Sequence, residues 1–266
     1  MKETKDILHQ KSLKLLIVGD GCCDYNHFGS VKRISQEAPV PVFDLEFTTN
    51  KLGMTYNVTE NFENLGVTDI DLHTYVIENK NRYVEQKFSQ QLFRVDEKTN
   101  TSKNIVNDVL ASISNNYYDA VVISDYDKGT LSYTDIQQII KACKPAPVFI
   151  DTKKQDLKQF DNCIVKINED EYKSSISHSS KMIVTRSDKD VIYVEEGKAI
   201  ANFPVDKVDL HDVTGAGDSF LAAFVVYYVA SNNFKTAIEF AIRSSQITVQ
   251  HLGVYAPRLE EICQLD

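Results

Sequence analysis

Residues 220–230 are apolar at every position, and a helix of that composition has no face to offer water. It must be buried on all sides, which demands a sizeable core around it. The 266 residues can build one within a single α/β domain. Short apolar runs at 15–18, 120–123, 148–150, 164–167, 182–184 and 191–194 read as strands. Helical spacings such as Ile105/Val109/Ile113 and Ile136/Ile139/Ile140 fall between several of them. Apolar strands separated by helices predict a mainly parallel sheet covered on both faces. Ligands bind beyond the carboxyl ends of such strands. Gly19-Asp20, Ser124-Asp125, Asp151-Thr152-Lys153, Asn168 and Thr185 all fall there, so one shared site is expected. Segments of about 31–50 and 80–97 break the alternation. Their centres, 40–48 and 82–96, set polar residues between apolar ones and suit a small separate sheet.

The apolar helix is preceded by Asp212-Val213-Thr214-Gly215-Ala216-Gly217-Asp218-Ser219. The first amides of a helix have no partner within it. At a buried helix mouth, the amides of Gly215, Ala216 and Gly217 and the positive end of the dipole favour an anion, phosphate above all. Asp218 at the same end repels phosphate. Its sensible task is to accept a proton from a hydroxyl that attacks the phosphate. The plain alternative is a cap on a tight turn, but Thr214 or Asp212 can already cap. Other phosphate motifs do not fit. Phe220 stands where a dinucleotide fingerprint needs its third glycine, and the chain has neither Gly-Lys-Ser/Thr nor His-Arg-Asp.

The run Asp212 to Phe220 resembles the carboxy-terminal signature of the ribokinase/PfkB sugar kinases. That resemblance implies a ribokinase-like three-layer α/β/α domain over 1–266, with a small β-sheet lid made by the two irregular segments. It implies an anion hole at Gly215, Ala216 and Gly217, with Asp218 as the catalytic base. Within the family the chain is similar to the kinases of heptose 7-phosphate, which act at O1. Gly19-Asp20-Gly21-Cys22-Cys23-Asp24, the unbroken run from Arg33 to Val42, Gln90-Gln91-Leu92-Phe93-Arg94-Val95-Asp96 and Ser124-Asp125-Tyr126-Asp127-Lys128-Gly129 carry that likeness.

Carried over by position, the resemblance gives Asp24 and Asn57 to sugar hydroxyls, with Gly53 beside them. It gives Lys153 and Asn168 to the sugar or the transferring phosphoryl group, and Glu171 to water-mediated Mg²⁺. Nucleotide contacts fall on Thr185, Ser187, Thr214 and Gly217. Arg94, with Lys32, Arg33, Arg82 and Lys87, is a candidate partner for a sugar phosphate. ATP and Mg²⁺ are the implied co-substrate and cofactor, and a monovalent cation is compatible. A homodimer through the lid is expected.

Several positions depart from the family. Gly53-Met54-Thr55-Tyr56-Asn57 lacks the second glycine of Gly-Gly-Ala-x-Asn. Thr185-Arg186-Ser187-Asp188-Lys189-Asp190 lacks both glycines of Thr-x-Gly-x-x-Gly. Ile242 replaces an Asn commonly close to adenine. After Leu65-Gly66 the usual strand, helix and Gly-x-Asp-x-x-Gly segment are missing, about one βα unit. These departures support a second reading, an impaired relative that binds a sugar phosphate or nucleotide without turnover.

A formal net charge of −9 opposes a nucleic-acid or anionic-membrane surface. The five cysteines show no metal spacing and read as reduced thiols. Residues 1–14 have no apolar run of signal-peptide kind, so a cytoplasmic protein is expected. No His-x-Gly-His is present, and a nucleotidyltransferase acting after the kinase is expected to be a separate partner.

Overall fold

The computed structural model describes residues 12–99 and 104–264; most of the segment 1–14 lies outside them. The chain opens with β1 (Lys14–Gly19), β2 (Gly21–Ile34) and β3 (Pro41–Met54), then α1 (Thr55–Asn64). Strands β4 (Asp69–His73), β5 (Val76–Glu85) and β6 (Gln90–Lys98) follow. Next come α2 (Val106–Asn115), β7 (Ala120–Asp125), α3 (Tyr133–Ala142), β8 (Val148–Thr152), β9 (Ile164–Asn168) and α4 (Glu169–Ser174). The described chain closes with β10 (Lys181–Thr185), β11 (Asp190–Glu195), β12 (Lys198–Pro204), α5 (Ala216–Ser231), α6 (Phe234–Val249) and α7 (Leu259–Cys263).

The main sheet has the order β12-β11-β10-β9-β8-β7-β1-β4. It is parallel from β4 to β10, and β11 and β12 add antiparallel. Both faces are buried, and this is why its strands are continuously apolar. Leu15 and Ile17 of β1 pack on one side with Val58, Phe62, Phe149 and Phe224. Leu16 and Val18 pack on the other with Val109, Ile136 and Ile139. The all-apolar helix is α5, buried at each position from Ser219 to Tyr227. Each fully buried Phe or Leu contributes about 1.5–3 kcal/mol, so this helix holds its half-buried amino end, residues 215–218, fixed at the edge of the core.

A second, separate sheet, β3-β2-β5-β6, is built from the segments expected to make a lid. It pairs β2 with β3 antiparallel, β2 with β5 parallel, and β5 with β6 antiparallel. It spans Gly21–Met54 and Val76–Lys98, wider than the expected segments of about 31–50 and 80–97. The first half of β2 escaped because Cys22 to Asn26 carries no clean alternation; its extended form comes from pairing with β3 and β5. The strand thought missing after Gly66 is present as β4, parallel to β1 at the sheet edge. Ile70 and Leu72 turn to the core while alternate residues are polar, so an edge strand hid in an unremarkable sequence. No helix follows it: β4 runs into the lid strand β5 through Thr74 and Tyr75. Among the described residues no helix is long and apolar enough to cross a membrane.

Candidate active site

Four elements meet at the mouth of α5. Asn57 arrives on α1, Tyr126 on the loop after β7, Asp151 on β8 and Lys166 on β9. Gly215 precedes the helix in a left-handed conformation, φ 85°, which glycine adopts without steric cost. This bend closes a turn in which the Ala216 amide donates to the Val213 carbonyl at 3.2 Å. Ala216 is therefore not an open donor as expected. Among the described residues nothing accepts from the amides of Gly215, Gly217 or Asp218, so Ala216 drops out of the expected cradle and the Asp218 amide joins it. The loop before it is fastened by Asp212, which accepts from the Thr214 amide at 2.9 Å, the Thr214 hydroxyl at 2.7 Å and the Gly253 amide at 3.0 Å.

Asp218 is half-buried, with both carboxylate oxygens engaged. Asn57 donates to Oδ2, and the Tyr126 hydroxyl donates to Oδ1 at 3.2 Å. Burial pushes this carboxyl up to about 6, helped by Asp151, while Asn57, Lys166 and Tyr126 pull the other way. A base with its proton affinity near working pH is suited to proton transfer.

Lys166 is the cation beside this carboxyl. It is 5% exposed and donates to Asp151 Oδ2 at 2.7 Å. Burial works against its charge, but Asp151, Asp218 and Glu171 together hold the ammonium above its ordinary range. A β-carbon on Gly217 would stand 2.7 Å from Nζ, so glycine there lets the ammonium approach the open amides. Lys166 lies outside every motif of the sequence. Its signal was a lone lysine inside the apolar run Ile164-Val165-Lys166-Ile167, since a charge in a buried strand needs a built partner.

Lys153 sits further out, with its side chain 43% exposed. It pairs with Glu171 and lies 5.8 Å from the centre of the Tyr126 ring. Asn168 and Glu171 form a capping box at α4. Asn168 Oδ1 accepts from the Glu171 amide and Glu171 Oε2 from the Asn168 amide, each at 2.8 Å. Glu171 thus has both oxygens occupied. Among the described residues there is no group of three His, Cys, Asp or Glu side chains able to cage a metal. A hydrated Mg²⁺ held mainly by nucleotide phosphates would need no such cage.

On the lid side, Asp24 Oδ1 accepts from Arg82 Nη1 at 2.6 Å. A β-carbon on Gly53 would come within 2.5 Å of Asp24 Oδ2, so Gly53 makes room for that carboxylate. Asn57 Oδ1 is buried with no partner among the described residues, an acceptor suited to a hydroxyl. Arg94 stands opposite Arg82 across β5 and β6, pairs with Asp96 at 2.8 Å and is 47% exposed. Thr185 donates weakly to the Ile167 carbonyl, 3.4 Å. Of the three positions where the family has glycine, two keep a positive φ, Met54 at 60° and Ser187 at 55°, whereas Asp190 lies in β11 as an ordinary strand residue.

The profile of the pfkB family of carbohydrate kinases matches residues 67–262. The chain is 26% identical over 307 aligned residues to the bifunctional protein HldE of Helicobacter acinonychis, covering 94% of this chain and 65% of that one. It therefore spans less than two thirds of the relative's length. Among solved structures, the ribokinase of Arabidopsis thaliana complexed with ribose and ATP superposes with a TM-score of 0.71 at 16% identity, covering 96% and 99% of the two chains. The phosphofructokinase-2 of Escherichia coli in complex with potassium gives 0.74 at 12% identity, covering 95% and 97%. These likenesses establish a ribokinase-like fold.

Proposed function

Because the chain belongs to the pfkB family of carbohydrate kinases, phosphotransferases with an alcohol acceptor, we propose that it transfers the γ-phosphoryl group of ATP to O1 of a sugar phosphate resembling heptose 7-phosphate. The observation that carries this reading is the enclosed carboxyl of Asp218 at a helix mouth with open amides. In this mechanism Asp218 accepts the proton of the attacking hydroxyl. The amides of Gly215, Gly217 and Asp218 take up the phosphoryl oxygens, and Lys166 offsets the charge that develops on them. Lys153, Asn168 and Glu171 stand at the outer rim and would face an Mg²⁺ bound with the nucleotide, which would supply further charge neutralisation. Thr185, Ser187 and Thr214 belong to the nucleotide side.

Asp24 and Asn57 hold sugar hydroxyls, with the unpartnered Oδ1 of Asn57 as one acceptor. Arg82 and Arg94 stand at paired positions of β5 and β6, each on a carboxylate, Asp24 and Asp96, and suit the phosphate already on the acceptor by turning from those partners to it. The product, a sugar 1-phosphate, is the kind of substrate a separate nucleotidyltransferase activates. Leu45, Phe47, Leu52, Phe93 and Val95 leave the lid apolar and exposed, which supports pairing of two copies through it.

The test is Asp218→Asn, assayed for ADP release against heptose and hexose phosphates beside the free sugars. Turnover should fall by about 10²–10⁴, with Mg-ATP affinity by calorimetry nearly unchanged. Full activity in the variant would end the assignment of the base. Sugar binding without ATP binding in the wild type would favour the non-catalytic reading.

A further inference from the structure

With Asp218 taken as the base, we propose that Tyr126 is its positioning residue: the phenol fixes one carboxylate oxygen while Asn57 fixes the other, leaving a single direction from which a hydroxyl can be deprotonated. The proposal rests on the kinase reading above. The terminal torsion of an aspartate is broad and soft, so a carboxylate held at one oxygen still turns. Held at Oδ2 by Asn57 and at Oδ1 by Tyr126, at 3.2 Å, it does not.

Tyr126 is itself placed by a rigid bracket. The carboxylate of Asp20, fully buried after β1, accepts three backbone amides of the loop following β7. These come from Tyr126 at 2.7 Å, Lys128 at 3.2 Å and Thr130 at 3.3 Å. Charge-assisted bonds of this kind are the strong ones. The same bracket reaches the lid, where Lys128 Nζ lies 3.2 Å from Glu78 Oε1 on β5. One loop thus ties the lid, the end of β1 and the base together.

The chemistry is consistent with donation alone. Burial, then Asp218 and Asp151, hold the Tyr126 phenol well above its ordinary range, so it keeps its proton while Asp218 receives the one from the sugar hydroxyl. The charged or titratable groups facing this pair are Asp151 of β8 and Lys166 of β9, with Cys22 of β2 near the phenol and Lys153, after β8, 5.8 Å from its ring.

Tyr126→Phe keeps the ring and removes the donor. The acid limb of its kcat/KM profile should move up by about one pH unit, the worth of a hydrogen bond to a charged group, with ATP affinity unchanged. A merely structural role would lower activity equally at every pH and leave the limb in place; that result overturns the proposal. A second readout needs no turnover. The ¹³C carboxyl resonance of Asp218, assigned by its loss in Asp218→Asn, should titrate at higher pH in Tyr126→Phe. An unmoved midpoint also overturns it, even where the kinase reading itself has failed in the assay. Should the Phe variant not fold, 3-fluorotyrosine placed at 126, a stronger donor, should lower the midpoint, and no change there is equally decisive against the proposal.

Discussion

At Asp218, burial and charge work against each other. A carboxyl whose folded-state proton affinity exceeds its ordinary value binds its proton more tightly when folded. Here the rise is from 3.8 to about 6, caused first by burial. Ionising the group therefore opposes folding as pH climbs through that window, and the cost is absent below it. Asp218→Asn should be more stable than the wild type by about 1–3 kcal/mol above pH ~6, with no difference below pH ~4. Thermal melts across that range check it; a wild type that is the more stable protein at neutral pH would contradict the sign. Met54 shows a second local conflict. Its φ of 60° and ψ of −123° belong to glycine, at a cost of about 1–3 kcal/mol. Its side chain is 5% exposed, and burial of that size returns about 1.5–3 kcal/mol. The two offset, which accounts for a large side chain standing where the family has glycine.

Among the elements, the β10–β11 turn shows how a lost glycine motif keeps its shape. Arg186 donates to both carboxylate oxygens of Asp190, and the Arg186 amide closes the turn on the Asp190 carbonyl at 3.0 Å. The ion pair fastens the turn, and Ser187 sits within it in the left-handed region. Ser187→Gly relieves that strain and should stabilise the protein by about 0.5–1 kcal/mol, net of the extra freedom it gives the unfolded chain. Urea unfolding reads this directly, and a destabilised variant would show that the serine is not strained. The α4 cap makes a similar point. Asn168 and Glu171 satisfy each other's amides, so their spacing in the sequence has a sufficient helical cause before any ligand is considered.

Across the whole molecule, the lid is the least self-sufficient part. Strands β3 and β6 carry exposed Leu45, Phe47, Leu52, Phe93 and Val95, while Tyr83 and Phe93 stack at 4.5 Å on one face. Exposed apolar sheet of this extent marks an interaction surface. If two copies pair through this sheet, as proposed, Val95→Glu should shift the protein from dimer to monomer in sedimentation velocity, and, with Asp24 and Arg82 as proposed sugar-side residues of the same sheet, weaken sugar binding several-fold. A wild type that sediments as a monomer at all concentrations would remove the lid dimer.

The eleven apolar residues before Ser231, the Gly-Ala-Gly-Asp run ahead of them and the strand runs could be read without coordinates. Each is a pattern among near neighbours, and burial from all sides imposes such patterns on any chain that folds this way. Which groups enclose Asp218 could not be read. Asn57 lies 161 residues away and Tyr126 lies 92, and Lys166 is brought in only by the order of β7, β8 and β9. The same holds for β4 and the first half of β2, whose weak local signals are overridden by pairing with neighbouring strands. Local composition determined that a helix mouth would be buried. Strand order and register decided which side chains share it, because contacts between distant segments are properties of the assembled sheet.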